Sequence, residues 1–122
     1  RFKLARSMEE VLVEADWFSL HIPKEKRNIG LIGAKELAKL RAGAFLINTS
    51  RGGIVDEAAL LASLESGHLA GAACDVFESE PPNFTDATIR GLLAHPRFVA
   101  TAHLGGATVE AKERVASQAA QQ

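Results

Sequence analysis

Cysteine is almost missing from this chain of 122 residues: Cys74 stands alone. A single thiol excludes an internal disulfide framework and a cysteine-based zinc cage, and a reducing, cytoplasmic setting is expected. An excess of either charge is missing too. Lys and Arg number 14 against 15 Asp and Glu, a net of -1, which leaves no footprint for nucleic acid or an anionic membrane. No apolar run approaches the ~20 residues of a membrane span, and residues 1–10 do not read as a signal peptide. There is no low-complexity tract, no Ser/Gly linker and no G-x-S-x-G elbow, which removes one common hydrolase design.

What is present suits one ordinary globular domain, with 47% apolar and 24% charged residues. Four apolar runs, 16–20, 44–47, 71–74 and 98–100, are too short for helices and read as buried strands, with a weaker fifth at 2–4. Helical patterns lie between them. Ser7-Met8-Glu9-Glu10 has the form of a capping box, with Met8, Val11 and Leu12 as the stripe behind it. A second helix is expected over 34–40, ended by Gly43. Asp56 can cap a third, with Leu60, Leu61 and Leu64 on one face and Gly67 as its stop. The looser stretch 81–96 leaves room for a short helix after Asp86, and Thr108 can cap a last one carrying Val109, Val115, Ala116 and Ala119. This rhythm is that of βα units in a parallel α/β sheet.

In such a sheet all strand C-termini share one edge, where ligands bind. His21-Ile22-Pro23 follows the first run, and Asn48-Thr49-Ser50-Arg51-Gly52-Gly53 the second. Asp75 follows the third, with Glu80 five residues on, and Thr101-Ala102-His103-Leu104-Gly105-Gly106 follows the fourth. One rim would therefore collect two histidines, an arginine, two carboxylates and four glycines. Taken singly, each has a plain reading. Arg51 fits a solvated turn, Gly52-Gly53 a turn or a close approach to a ligand, Asp75 a cap, and Glu80 a surface carboxylate. His68 and His95 read as solvated turn residues and Cys74 as a small core residue. No rim pair has the i, i+3 or i, i+4 spacing of helix-borne metal ligands, so no metal is expected. Arginine, histidine and carboxylate together suit anchoring an anionic substrate and moving one proton.

The run Asn48-Thr49-Ser50-Arg51-Gly52-Gly53-Ile54-Val55-Asp56-Glu57 resembles the signature of the D-isomer-specific 2-hydroxyacid dehydrogenases. The likeness continues through Gly67 to Phe77, Glu80-Pro81 and His103-Leu104-Gly105-Gly106-Ala107-Thr108, and covers nearly the whole chain. Phosphoglycerate dehydrogenase and the glyoxylate/hydroxypyruvate reductases look nearest. The resemblance implies hydride transfer between NAD or NADP and a small D-2-hydroxy or 2-oxo acid. It implies His103 as general acid or base, Glu80 as the carboxylate that orients it, and Arg51 as the anchor of the substrate carboxylate. Around the cofactor it implies His21, Ile22, Pro23, Thr49, Ser50, Arg51, Asp75, His103, Leu104, Gly105 and Gly106. A homo-oligomer is implied for the longer parent. Glu80, where formate dehydrogenases carry Gln, disfavours formate.

Two departures qualify the likeness. Ala102 stands where the family usually has Pro before the histidine, so His103 is expected to be held less tightly. No G-x-G-x-x-G is present, and that loop binds the pyrophosphate of a dinucleotide. The expectation is a partial Rossmann-like, doubly wound sheet lacking its first βαβ unit. Residues 1–122 would be the C-terminal portion of a dinucleotide-binding domain, with 108–122 leading toward an absent substrate domain. Such a piece is expected to expose a strand edge and an apolar helix-docking face, and to self-associate or be marginally stable. Trp17, at the head of the first strand, is expected near the pocket. A second reading, a non-catalytic NAD(H)-sensing module of the co-repressor (C-terminal-binding-protein) type, stays open at this point.

Overall fold

The computed structural model describes residues 3–119. The elements run α1 (Met8–Glu14), β1 (Trp17–Leu20), a 3₁₀ turn (Lys26–Asn28), α2 (Ala34–Lys39), β2 (Phe45–Asn48), α3 (Glu57–Glu65), β3 (Gly71–Cys74), α4 (Ala87–Ala94), β4 (Phe98–Ala100) and α5 (Val109–Ala119). The four strands form one parallel sheet in the order β1-β2-β3-β4. Crossovers between successive parallel neighbours are right-handed, so they lay their helices on the same face.

That face is the core. Phe18, Leu20, Leu46, Ala72, Cys74 and Phe98 point into it and meet Leu12, Leu37, Leu60, Leu64, Ile89 and Leu92 from α1 to α4. Each large side chain so buried contributes about 1.5–3 kcal/mol. The caps follow from the sequence. Asp56 accepts the Ala59 N–H at 2.9 Å, and Asp86 accepts those of Thr88 and Ile89 at 2.8 and 3.1 Å. Thr108 Oγ1 accepts the Ala111 N–H at 3.1 Å. Gly67, at φ +77°, ends α3 in a left-handed turn that residues with a Cβ adopt only at a cost.

Several expectations need correction. The strands are buried on one side only. Trp17 is 64% exposed and Val99 60%, because no described element covers the second face of the sheet. There Trp17 stacks on Phe45 with ring centroids 4.2 Å apart, and the Phe45 ring lies against Gly71, where a Cβ would stand 3.1 Å from it. Trp17 thus sits at the end of β1 away from the strand C-termini, not at the pocket. Of the α1 stripe only Leu12 is buried, and Met8 and Val11 are each 38% exposed. The capping box is half made: Ser7 Oγ accepts the Glu10 N–H, but Glu10 turns to the Arg6 N–H instead of that of Ser7. Phe2 lies outside the described residues, while Lys3 and Leu4 are in no strand and Leu4 is 94% exposed. His68 is half-buried, with Nε2 3.1 Å from the Leu37 carbonyl, and His95 is half-buried, with Nδ1 accepting the Arg97 N–H. α5 has no buried residue, so Val109 and Val115 stand in solvent.

Candidate active site

The sheet ladder continues past the strands and draws their following loops together. The Asp75 N–H donates to the Asn48 carbonyl at 2.9 Å, and the Thr101 N–H donates to that of Cys74 at 3.1 Å. After β2 the turn is organised from below by a buried amide. Asn48 Oδ1 accepts both the Ser50 N–H and its hydroxyl, and Asn48 Nδ2 donates to the Arg51 carbonyl at 3.1 Å. Arg51 is thereby set on the rim with its guanidinium exposed, one nitrogen donating to the Ser50 carbonyl at 2.7 Å. Four further donors of the fork remain for a ligand.

After β3 the chain passes over that turn. A Cβ built on Gly52 would fall 1.6 Å from the Phe77 carbonyl oxygen, so the two loops touch backbone to backbone. The close approach that the paired glycines permit is therefore to this chain itself at Gly52. Two residues before Glu80, the Glu78 N–H donates to Glu57 Oε1 at 2.7 Å. Burial pushes the Glu57 carboxyl up, against the opposing pull of that N–H, and the charges of Glu78, Asp86 and Asp56 push it further.

Here the loops from β3 and β4 meet. His103 Nδ1 lies 2.9 Å from Glu80 Oε2, with both side chains 41% exposed. Asp75 Oδ1 accepts the Thr101 hydroxyl and the His103 N–H, the latter at 3.0 Å. Its Oδ2 accepts no hydrogen bond among the described residues. Ala102 imposes no rigidity, and the backbone of His103, at φ +51°, is held by Asp75 instead. A cleft of about 530 Å³ opens beside the pair, lined by Asp75, Glu80, His103, Thr101, Phe84 and Leu93. Leu104 is 58% exposed, and nothing stands within 4 Å of where a Cβ would be on Gly105 or Gly106.

Not every rim residue joins this cluster. His21 Nε2 pairs with Ser19 Oγ at 2.8 Å, Ile22 is half-buried, and Pro23 and Thr49 are exposed, with no side-chain hydrogen bond to Asp75, Glu80 or His103 among the described residues. Cys74 is buried below the rim, its thiol pushed up to about 12 by burial and then by the Glu57 charge, so it is inert at neutral pH. The sequence places Asn48 and Thr101 on the rim and Glu57 in the signature run, but gives none of them a role. A polar residue ending a buried strand is a signal that could have given Asn48 one, since a buried amide must find partners. The other two act across 26 and 21 residues, where no local pattern speaks. Among the described residues, no group of three His, Cys, Asp or Glu side chains could hold a metal ion, and no helix is long and apolar enough to cross a membrane.

Residues 2–105 match the family model of the D-isomer specific 2-hydroxyacid dehydrogenase, NAD binding domain. The chain is 48% identical over 118 residues to D-3-phosphoglycerate dehydrogenase of Bacillus subtilis, covering 97% of this chain and 22% of that protein. A D-lactate dehydrogenase structure from Treponema pallidum superposes with TM-score 0.83 at 37% identity, over 94% of this chain and 38% of that one. D-lactate dehydrogenase from Lactobacillus jensenii, solved with NAD+, gives 0.84 at 31% identity, over 94% and 37%. The chain thus spans roughly a fifth to two-fifths of the proteins it matches. With 104 of its 122 residues inside the matching region, this chain belongs to the D-isomer specific 2-hydroxyacid dehydrogenase family, in its NAD binding domain.

Proposed function

We propose that this chain carries the catalytic side of the cofactor domain of an oxidoreductase that moves hydride between a nicotinamide cofactor, NAD or NADP, and a small D-2-hydroxy or 2-oxo acid. The observation that carries the reading is the 2.9 Å pair between His103 Nδ1 and Glu80 Oε2, on the sheet edge that also bears Arg51. Bound there, the cofactor supplies or receives the hydride. Asp75, with Oδ1 engaged and Oδ2 open, suits the amide hydrogens of a nicotinamide carboxamide. His21, Ile22, Pro23, Thr49, Ser50, Leu104, Gly105 and Gly106 would line the rest of this end. The chain has no G-x-G-x-x-G for the pyrophosphate, so its residues fit the nicotinamide end alone.

Glu80 fixes the His103 ring by Nδ1, which leaves Nε2 to give a proton to the C2 oxygen in reduction and to take it back in oxidation. The positive charge that forms on the ring in the oxidation direction is countered by the Glu80 carboxylate. Arg51 receives the substrate carboxylate in its planar fork and polarises the C2 carbonyl. The partners on this reading are the small acid and further copies of the longer protein, with no nucleic acid and a cytoplasmic setting. Support for these comes from the balanced charge and the single buried cysteine. No observation favours the co-repressor reading.

The test is a graft. This chain replaces the matching 118-residue segment of the B. subtilis D-3-phosphoglycerate dehydrogenase, and NAD-linked turnover is compared with that of a His103→Ala graft. The substitution should lower kcat by about 10²- to 10⁴-fold with cofactor affinity retained. Equal turnover of the two grafts would refute the assignment.

A further inference from the structure

The motif that ends at Glu57 leaves that residue without a part in the chemistry, yet its setting asks for one. Its carboxylate is half-buried at the start of α3, beside a cleft of about 620 Å³ lined by Asp56, Glu78 and Asp86 and by no basic residue. No Lys or Arg pairs with it among the described residues. A carboxylate held among three others is unfavourable unless a specific donor holds it. The donor is the Glu78 N–H at 2.7 Å, a short charge-assisted bond to a backbone 21 residues away.

That bond has a consequence two residues on. From Asp75 the chain leaves β3, touches Gly52 at Phe77, is tied at Glu78 by Glu57, and then presents Glu80 to His103. Phe77 is packed in the core, whereas Glu78, Ser79 and Glu80 are exposed. Between the buried Phe77 and the His103 contact, Glu57 provides the tie from the body of the domain to this segment. We infer that Glu57 is a positioning residue: its carboxylate, through the Glu78 N–H, sets the height at which Glu80 meets His103 Nδ1. The inference rests on the dehydrogenase reading only for what the Glu80–His103 pair does, not for its existence.

Length and acceptor character decide the function of Glu57, so variants that separate them test it. Glu57→Gln keeps the reach and a carbonyl acceptor. Glu57→Asp keeps the charge and suits the first turn of a helix, but is one methylene too short. Glu57→Ala removes both. The readouts are hydrogen exchange at the Glu78 amide and long-range ¹H–¹⁵N spectra of the imidazoles in the ¹⁵N-labelled 122-residue chain. The spectra report which ring nitrogen of His103 carries the proton. In the parent chain and in Glu57→Gln, the Glu78 amide should be protected and the His103 proton should sit on Nδ1, toward Glu80. In Glu57→Asp and Glu57→Ala, exchange should quicken about tenfold or more, the low end for losing a bond to a charged group. The His103 proton should then shift toward Nε2.

An unchanged His103 pattern in both shortened variants would overturn the inference, since Glu57 would then hold only its own contact. Failure of Gln to restore the parent pattern would overturn it equally. Should Glu57→Ala not fold, Glu57→Asp carries the test. An inactive graft with these spectra as expected would count against the dehydrogenase reading alone.

Discussion

Asp75 holds His103 by its backbone. The Asp75 Oδ1 oxygen accepts the His103 N–H at 3.0 Å, and His103 is the one non-glycine among the described residues with a positive φ, +51°. Left-handed backbone costs an L-residue with a side chain roughly 1–2 kcal/mol. The histidine is therefore kept at the rim against a local preference, through a carboxylate from a different strand end.

His103→Gly should relieve that cost. Urea unfolding of this variant is expected to show stability equal to the parent or higher by up to about 1 kcal/mol. A loss of similar size would mean that the exposed imidazole–Glu80 pair outweighs the backbone strain.

Gly52→Ala should be far less tolerated. The added methyl would fall 1.6 Å from the Phe77 carbonyl oxygen, a backbone atom that moves only if the loop moves. Overpacking of this kind costs about 1–3 kcal/mol and more where backbone is displaced. Unfolding midpoints of Gly52→Ala and of Gly53→Ala, whose new Cβ meets only the flexible ends of Lys24 and Glu78, should be compared. Gly53 carries its own cost from φ +78°, so an equal loss at the two sites would show that the Phe77 contact adds nothing beyond a strained turn.

Alkaline conditions should weaken the fold through Cys74. The folded thiol keeps its proton up to about 12, whereas an unfolded one loses it around the ordinary value of 9.0. Between these values the folded state binds more protons, so stability falls as pH rises. From about pH 8.5 to 10.5 the parent should lose about 2 kcal/mol more than Cys74→Ala. Parallel losses in the two proteins would show that the thiol ionises equally well folded and unfolded. The absence of tyrosine keeps this window free of phenol titration.

Asp86→Ala removes the acceptor for two backbone N–H groups at the start of α4. A loss of about 1 kcal/mol is expected by chemical denaturation, with Asp86→Asn keeping most of the cap. Since α4 supplies Ile89 and Leu92 to the core beneath β3 and β4, the loss should appear in the global transition and not as local fraying.

The parts of this fold legible in the sequence were those written locally. Four short apolar runs became four strands within a residue of their expected ends, and Asp56, Asp86 and Thr108 became caps because a side-chain oxygen one turn from free N–H groups finds them. Chain direction alone brought Asp75 and the segment of His103 to one edge. The openness of the second sheet face was legible from the missing first βαβ unit, which leaves a helix-docking face bare, but not from the runs themselves. Trp17, Phe45, Ile47 and Val99 are as apolar as the residues of the covered face, so the runs read as buried on both sides. Nor could the half-made box at Ser7 be foreseen, because the choice of Glu10 between two neighbouring N–H groups depends on how the chain enters α1.

That open sheet face has a practical consequence for anyone heating this protein in the presence of an environment-sensitive dye. Such dyes brighten on apolar surface, which in most folded domains is created only by melting. Here the Trp17–Phe45 stack and Val99 offer such a surface before melting begins. The cold baseline should start high and the transition should be shallow, so circular dichroism rather than dye brightness is the signal to follow.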